Sequence, residues 1–178
     1  MAGCPAGARG RGAVRRVDNG LAMGDRVAGR GHEPLAHTAD AGLRARAHDL
    51  PTLFEEAAAA LGELAADVDP GALADEVQVE LVAGDLAGLA FAWLNELIGL
   101  ADARAAAVAG ARVEMLPVGP EGPADGGETQ VRLRATVALV PSGRGARPRL
   151  DVKSATFHRL AVERASGGGW TLTAFLDV

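Results

Sequence analysis

Between residues 42 and 98 the apolar residues switch from a period of two to roughly 3.6 and back again, and this switching confines the chain to folds in which strands alternate with helices. Gly42-Leu43-Arg44-Ala45-Arg46-Ala47 alternates and predicts a half-buried strand. Leu53, Phe54, Ala57, Ala58, Leu61 and Leu64 then share one helical face, with Asp49 placed as N-cap, Pro51 tolerated in the first turn and an end expected near 67 to 70. Val77-Gln78-Val79-Glu80-Leu81 alternates again. Asp85 is placed to cap a second helix whose stripe is Leu86, Leu89, Ala90, Trp93, Leu94, Leu97 and Ile98. Further strands are expected near 111 to 118, 130 to 140, 150 to 163 and 170 to 177, separated by the Gly/Pro-rich segments 119 to 128 and 141 to 148 and by the turn Ser166-Gly167-Gly168-Gly169. The predicted class is α+β: a two-layer sandwich in which a mostly antiparallel sheet carries two helices packed on one face, in the order βαβα followed by β-strands.

A chain of 178 residues suits one domain with a sizeable core. With 48% apolar residues but only 3% aromatic ones and no tyrosine, that core must be built from Leu, Val and Ala. Residues 1 to 32 are rich in Gly, Ala and Arg without periodicity, so they are expected to form a disordered tail ahead of a domain at 33 to 178, with Met23 as an alternative start of translation. Cys4, the single cysteine, rules out an intramolecular disulfide and a thiolate metal cluster, which fits a reducing compartment. Without a run of about 18 apolar residues or a signal-peptide pattern, the expectation is a cytoplasmic protein with no membrane contact. The net charge of −5 argues against direct nucleic-acid binding through phosphate neutralisation. The Gly-rich turns lack the strand-to-helix context of a phosphate loop.

The chemistry, if any, lies at the ends of the domain. Asp177 offers a side-chain carboxylate and Val178 the main-chain carboxylate of an adjacent residue, and Asp40 could complete an oxygen cluster suited to a hard cation such as Ca²⁺, Mg²⁺ or Mn²⁺. Spacing alone equally allows Asp40 to cap a turn and Asp177 to be a solvated chain end. His37 is placed either to bind metal, to orient Asp40, or to complete a turn. Lys153 is the lone lysine among 18 basic residues, a compact charge able to pair with a carboxylate or phosphate. His158, five residues later, falls on the opposite face of a regular strand unless a bulge intervenes. Glu96 sits between Trp93 and Leu97 on the second helix and reads as solvated, or as facing the same tip.

His37-Thr38-Ala39-Asp40-Ala41-Gly42-Leu43, Leu53-Phe54-Glu55-Glu56-Ala57, Asp85-Leu86 with Trp93-Leu94-Asn95-Glu96-Leu97, Val152-Lys153-Ser154-Ala155-Thr156-Phe157-His158 and the terminal Leu176-Asp177-Val178 follow one another as in the archease family, which the chain resembles from about residue 34 to its end. It departs from the family's pattern at Ala41, where an aliphatic residue is commoner, at Phe157, where tyrosine is usual, and in the loop 141 to 148. The resemblance implies a non-catalytic partner of a GTP-dependent RNA ligase that joins 3′-phosphate or 2′,3′-cyclic phosphate ends to 5′-hydroxyl ends. It further implies promotion of that ligase's guanylylation and multiple turnover, and a divalent cation, Ca²⁺ above all, held by Asp40, Asp177 and Val178. His37, Lys153, His158 and Glu96 would then support the site or face the partner. Two alternatives stand beside this reading. A metal-dependent hydrolase would need a catalytic motif such as HExxH, and a small chaperone-like module would need a large exposed apolar surface.

Overall fold

The computed structural model describes residues 14–16, 30–36, 41–117 and 130–178. Twelve elements follow in order: β1 (Val14–Arg16), β2 (Gly31–Ala36), β3 (Ala41–Ala47), α1 (Leu50–Ala65), β4 (Ala66–Val68), β5 (Leu73–Ala83), α2 (Leu86–Ala103), β6 (Ala106–Pro117), β7 (Val131–Pro141), β8 (Ala146–Pro148), β9 (Ser154–Arg164) and β10 (Trp170–Asp177). Both helices begin where their caps predict. The Asp49 carboxylate accepts from the Thr52 amide at 2.9 Å and the Asp85 carboxylate from the Gly88 amide at 2.6 Å, each satisfying a donor that the first helical turn leaves open.

The expected α+β sandwich of two helices and antiparallel strands is what forms, with the strands divided between two sheets. One sheet has the order β1-β5-β7-β6 and the other β2-β3-β10-β9, while β4 and β8 make a two-stranded ribbon. Among the described residues these strands all pair antiparallel with one another. α1 packs against β6 of the first sheet and β3 of the second, and α2 lies against β9 and β5, so one continuous core joins both sheets to both helices. Trp93 anchors that core: it is fully buried, and its indole Nε1 donates to the Phe54 carbonyl at 3.1 Å, tying α2 to α1. By length and composition α2 would also suit a bilayer, but Leu89, Ala90, Trp93, Leu94 and Leu97 are buried inside the sandwich.

Four short strands depart from the reading of the sequence. α1 ends at Ala65 rather than near 67 to 70 because Ala66–Val68 pairs with Ala146–Pro148, inside the segment read as a loop. Within 1 to 32, Val14–Arg16 pairs with Leu73, Ala74 and Asp75, and Gly31 and His32 belong to β2. Pairing at a sheet edge uses main-chain groups and requires no core-facing periodicity, which is why composition carries no sign of these strands.

Candidate functional site

One end of the second sheet gathers four strand termini. β2 stops at Ala36, β3 starts at Ala41 opposite Leu176, and β10 runs one residue further to Asp177, which pairs with Ser154 at the start of β9. The connection 37 to 40 joins β2 to β3 at this same end. His37 and Asp40 both fall in it and lie outside the described residues. Asp177 is exposed and Val178 half-buried, so two oxygen-donor groups stand on consecutive residues at the tip of β10.

Lys153 is brought to this tip by the main chain. Its amide donates to the Asp177 carbonyl at 2.8 Å, extending the β9–β10 ladder by one bond. Its side chain is exposed and lines a cavity of about 550 Å³ shared with Gly62, Asn95, Leu97 and Val108. The cavity is walled mainly by apolar groups and does not include Asp177 or Val178. Glu96 is exposed on α2, next to a residue with a clearer role. Asn95 presents its side-chain amide to the outer edge of β9, accepting from the Ala155 amide at 3.0 Å and donating to the Ala155 carbonyl at 3.4 Å. It therefore stands in for a neighbouring strand and fixes the start of β9, and with it Lys153, against α2. Asn95 is not among the site residues that the sequence singles out; a polar side chain beside the Trp93-Leu94-Leu97 stripe is the signal that marks it. His158 is exposed and lies within a bulge of β9 that begins after Thr156, so the alternation of faces does not relate it to Lys153. Among the described residues no group of three His, Cys, Asp or Glu side chains gathers as a metal site.

A second polar cluster, with no counterpart in the reading of the sequence, clasps β2 to α1. His32 places Nδ1 2.9 Å from a Glu56 oxygen and Nε2 3.0 Å from a Glu63 oxygen, while Arg30 Nε donates to the other Glu56 oxygen. Glu55 accepts from the Val113 amide of β6 at 3.0 Å and lies 3.6 Å from Arg30. Glu56 is the one charged residue among the buried ones described, 8% exposed, and its partners explain how burial is tolerated. The hydrogen bond with Glu56 is the main cause that raises the His32 pKa to about 9; burial opposes it, and Glu63 adds to it. Burial pushes the Glu56 carboxyl up, but hydrogen bonds from His32 and Arg30 outweigh that and leave it below its ordinary value.

A group whose pKa rises on folding stabilises the fold fully below its unfolded value and loses that contribution as pH climbs through the folded one. The His32 clasp is therefore expected to be intact at pH 6 and lost by pH 9.5. A shift from 6.5 to about 9 bounds the effect near 3 kcal/mol, and solvent access at Glu63, 70% exposed, reduces it to about 1–2 kcal/mol. Urea unfolding should show that fall in stability between pH 6 and 9.5, and His32→Gln should flatten it. An equal fall in the variant would assign the pH dependence to other groups.

Comparison with known proteins agrees over the same span. A profile of the Archease protein family matches residues 32–178. A protein named archease from Methanothermobacter thermautotrophicus (strain Delta H) is 30% identical over 133 residues, covering 75% of this chain and 89% of the relative. One of the same name from Methanopyrus kandleri (strain AV19) is 42% identical over 65 residues, covering 36% of this chain and 46% of the relative. Among solved structures, the solution structure of protein 1598 from Methanobacterium thermoautotrophicum superposes with a TM-score of 0.64 at 27% identity, covering 83% of this chain and 99% of that one.

Proposed function

The chain belongs to the archease family, and from that premise we propose that it is a metal-binding accessory protein that promotes guanylylation and multiple turnover of a GTP-dependent RNA ligase. Family membership supports the coarser role, an RNA-ligase activator in tRNA processing that works as an accessory protein in association with a ligase. The finer reading names a ligase that joins 3′-phosphate or 2′,3′-cyclic phosphate ends to 5′-hydroxyl ends. The observation that carries it is the family match over residues 32–178, which includes the sheet end where β3 begins and β10 terminates.

Asp177, Asp40 and the carboxylate or backbone carbonyl of Val178 would hold the ion. Asp40 precedes Ala41, the residue that pairs with Leu176 at this sheet end. Carboxylate oxygens without thiolates suit a hard cation, Ca²⁺ first and Mg²⁺ or Mn²⁺ next. Bound there, such an ion supplies positive charge that offsets the crowded acids and can neutralise triphosphate oxygens. Asn95 and the main chain of Lys153 hold the tip in shape, while the exposed Lys153 side chain provides a compact point charge. The protein is read as cytoplasmic, in keeping with its cysteine usage.

The test is ligase guanylylation and strand joining with and without the protein. Added protein should raise both the fraction of ligase labelled and the joining events per ligase molecule; equal values in its absence would overturn the reading. Lys153→Arg should lower the stimulation about two- to tenfold at limiting ligase, because a planar guanidinium does not reproduce the compact point charge of an ammonium. Full stimulation by that variant would return Lys153 to the solvated surface.

A further inference from the structure

β9 does not run evenly beside β10. From Thr156 to Ala161 it takes five residue steps, while β10 takes two from Phe175 to Thr173, so three extra residues bulge from the sheet edge. Phe157, His158 and Arg159 lie in this bulge. His158 and Arg159 are exposed, and Phe157, 60% exposed, is the most open large apolar residue described; the other two, Leu73 and Val82, sit at opposite ends of β5 in the other sheet. The Phe157 ring is nevertheless fixed, stacked on Phe91 of α2 with centroids 4.0 Å and planes 19° apart. Arg159 adopts φ 57, a left-handed conformation unusual for a side-chain-bearing residue, and its guanidinium carbon lies 5.8 Å from the centre of the Phe175 ring. Arg30, Arg44, Arg134, Arg147 and Arg149 each pair with a carboxylate. No carboxylate among the described residues pairs with Arg159 or His158.

We propose that this bulge is a docking anchor for the RNA ligase, seating Phe157 in an apolar pocket of a ligase surface whose carboxylates face Arg159 and His158. The proposal rests on the accessory role argued above and names where the contact is made. A ring already stacked and a guanidinium already held over an aromatic lose little freedom on binding, and aromatic and arginine side chains dominate interface energetics. The chain carries a net charge of −5 while Phe157 is followed by His158, a hydrogen-bonding imidazole, and by the Arg159 cation, so the complementary local surface is acidic. Thr156, next to Phe157, pairs with Phe175, and Asp177 follows two residues later, about 7 Å along the strand, so one interface covers bulge and tip together. Strand addition is not the mode: Asn95 already occupies the amide and carbonyl of Ala155, and the bulge breaks the ladder beyond it. A nucleic acid fits less well, because two basic side chains are few phosphate contacts for an acidic protein.

The experiment measures binding of the full-length protein to the RNA ligase of the same cell by biolayer interferometry, with thermal unfolding of every variant. Phe157→Ala and Arg159→Glu should each raise Kd about tenfold or more, while Phe157→Tyr should keep it within about twofold. Unchanged Kd in both folded variants overturns the anchor and leaves the accessory role standing. Failure of the parent to bind the ligase overturns the accessory role, and the anchor with it. The anchor is also overturned if the ligase-free parent binds a labelled single-stranded RNA that Phe157→Ala releases while ligase binding is kept. A dimer seen in sedimentation velocity that Phe157→Ala dissolves, again with ligase binding kept, overturns it as well. If Phe157→Ala unfolds, Arg159→Glu, a change in an exposed side chain, decides the matter.

Discussion

Gly62→Ala is expected to destabilise the protein by about 3 kcal/mol, against the ordinary preference of helices for alanine over glycine. Gly62 lies in the last turn of α1, where the helix crosses β6, and a Cβ added there would stand 2.1 Å from the main-chain oxygen of Val108. That oxygen belongs to a strand paired with β7, so the clash is relieved only by sliding α1 off β6 or by breaking part of the ladder. The displaced helix would also disturb the wall of the cavity beside Lys153, which Gly62 and Val108 share. Gly99 is the control. It is exposed on α2, and a Cβ added there would meet nothing within 4 Å, so Gly99→Ala should stabilise by about 0.5–1 kcal/mol. Urea midpoints of the two variants should move in opposite directions. A Gly62→Ala midpoint at or above that of the parent would mean that α1 and β6 meet less closely than described.

The contrast between these two glycines marks what a sequence can disclose. Both stand in helices with apolar neighbours, and nothing local distinguishes the one pressed against a strand. What is legible is local: the two helical stripes, whose Leu53, Phe54, Ala57, Ala58, Leu89, Trp93, Leu94 and Leu97 are all buried, and the Asp49 and Asp85 caps. The longer strands are legible through alternation, but their division between two sheets is not, because pairing partners are chosen by main-chain contacts far apart in sequence. The same holds at the tip, where Lys153 meets Asp177 through an amide and a carbonyl that carry no residue-specific signal. Glu56 is silent in the sequence for a different reason. Its burial makes sense only with Arg30 and His32 as partners, and both lie in a stretch whose composition reads as tail. His158 illustrates the limit of parity: three extra residues in β9 cancel the alternation that would assign its face.

If Asp40, Asp177 and the Val178 carboxylate share one divalent ion, removing any of the three donors should lower Ca²⁺ affinity by about tenfold or more, since loss of even an outer partner of a metal ligand commonly costs that much. Asp40→Asn and Asp177→Asn each remove a negative charge with little change in volume. Extending the chain past Val178 moves the terminal carboxylate away from the end of β10 while leaving the Lys153 amide bonded to the Asp177 carbonyl. The strand register should therefore survive in all three, and thermal unfolding without added metal should be close to that of the parent, or slightly raised as carboxylate repulsion is relieved. Asp151→Asn serves as the matched control, an exposed acid ahead of β9 that lines the cavity from which Asp177 and Val178 are absent. Calorimetry with Ca²⁺ should report weakened binding for the three tip variants and none for the control, and ligase guanylylation should fall in the same order. Binding as tight as the parent's in each variant would dissolve the shared site. Metal retained with activation lost would move these acids from the coordination shell to the surface that meets the ligase, where a negative tip beside the basic bulge of β9 would orient the partner by the arrangement of opposite charges.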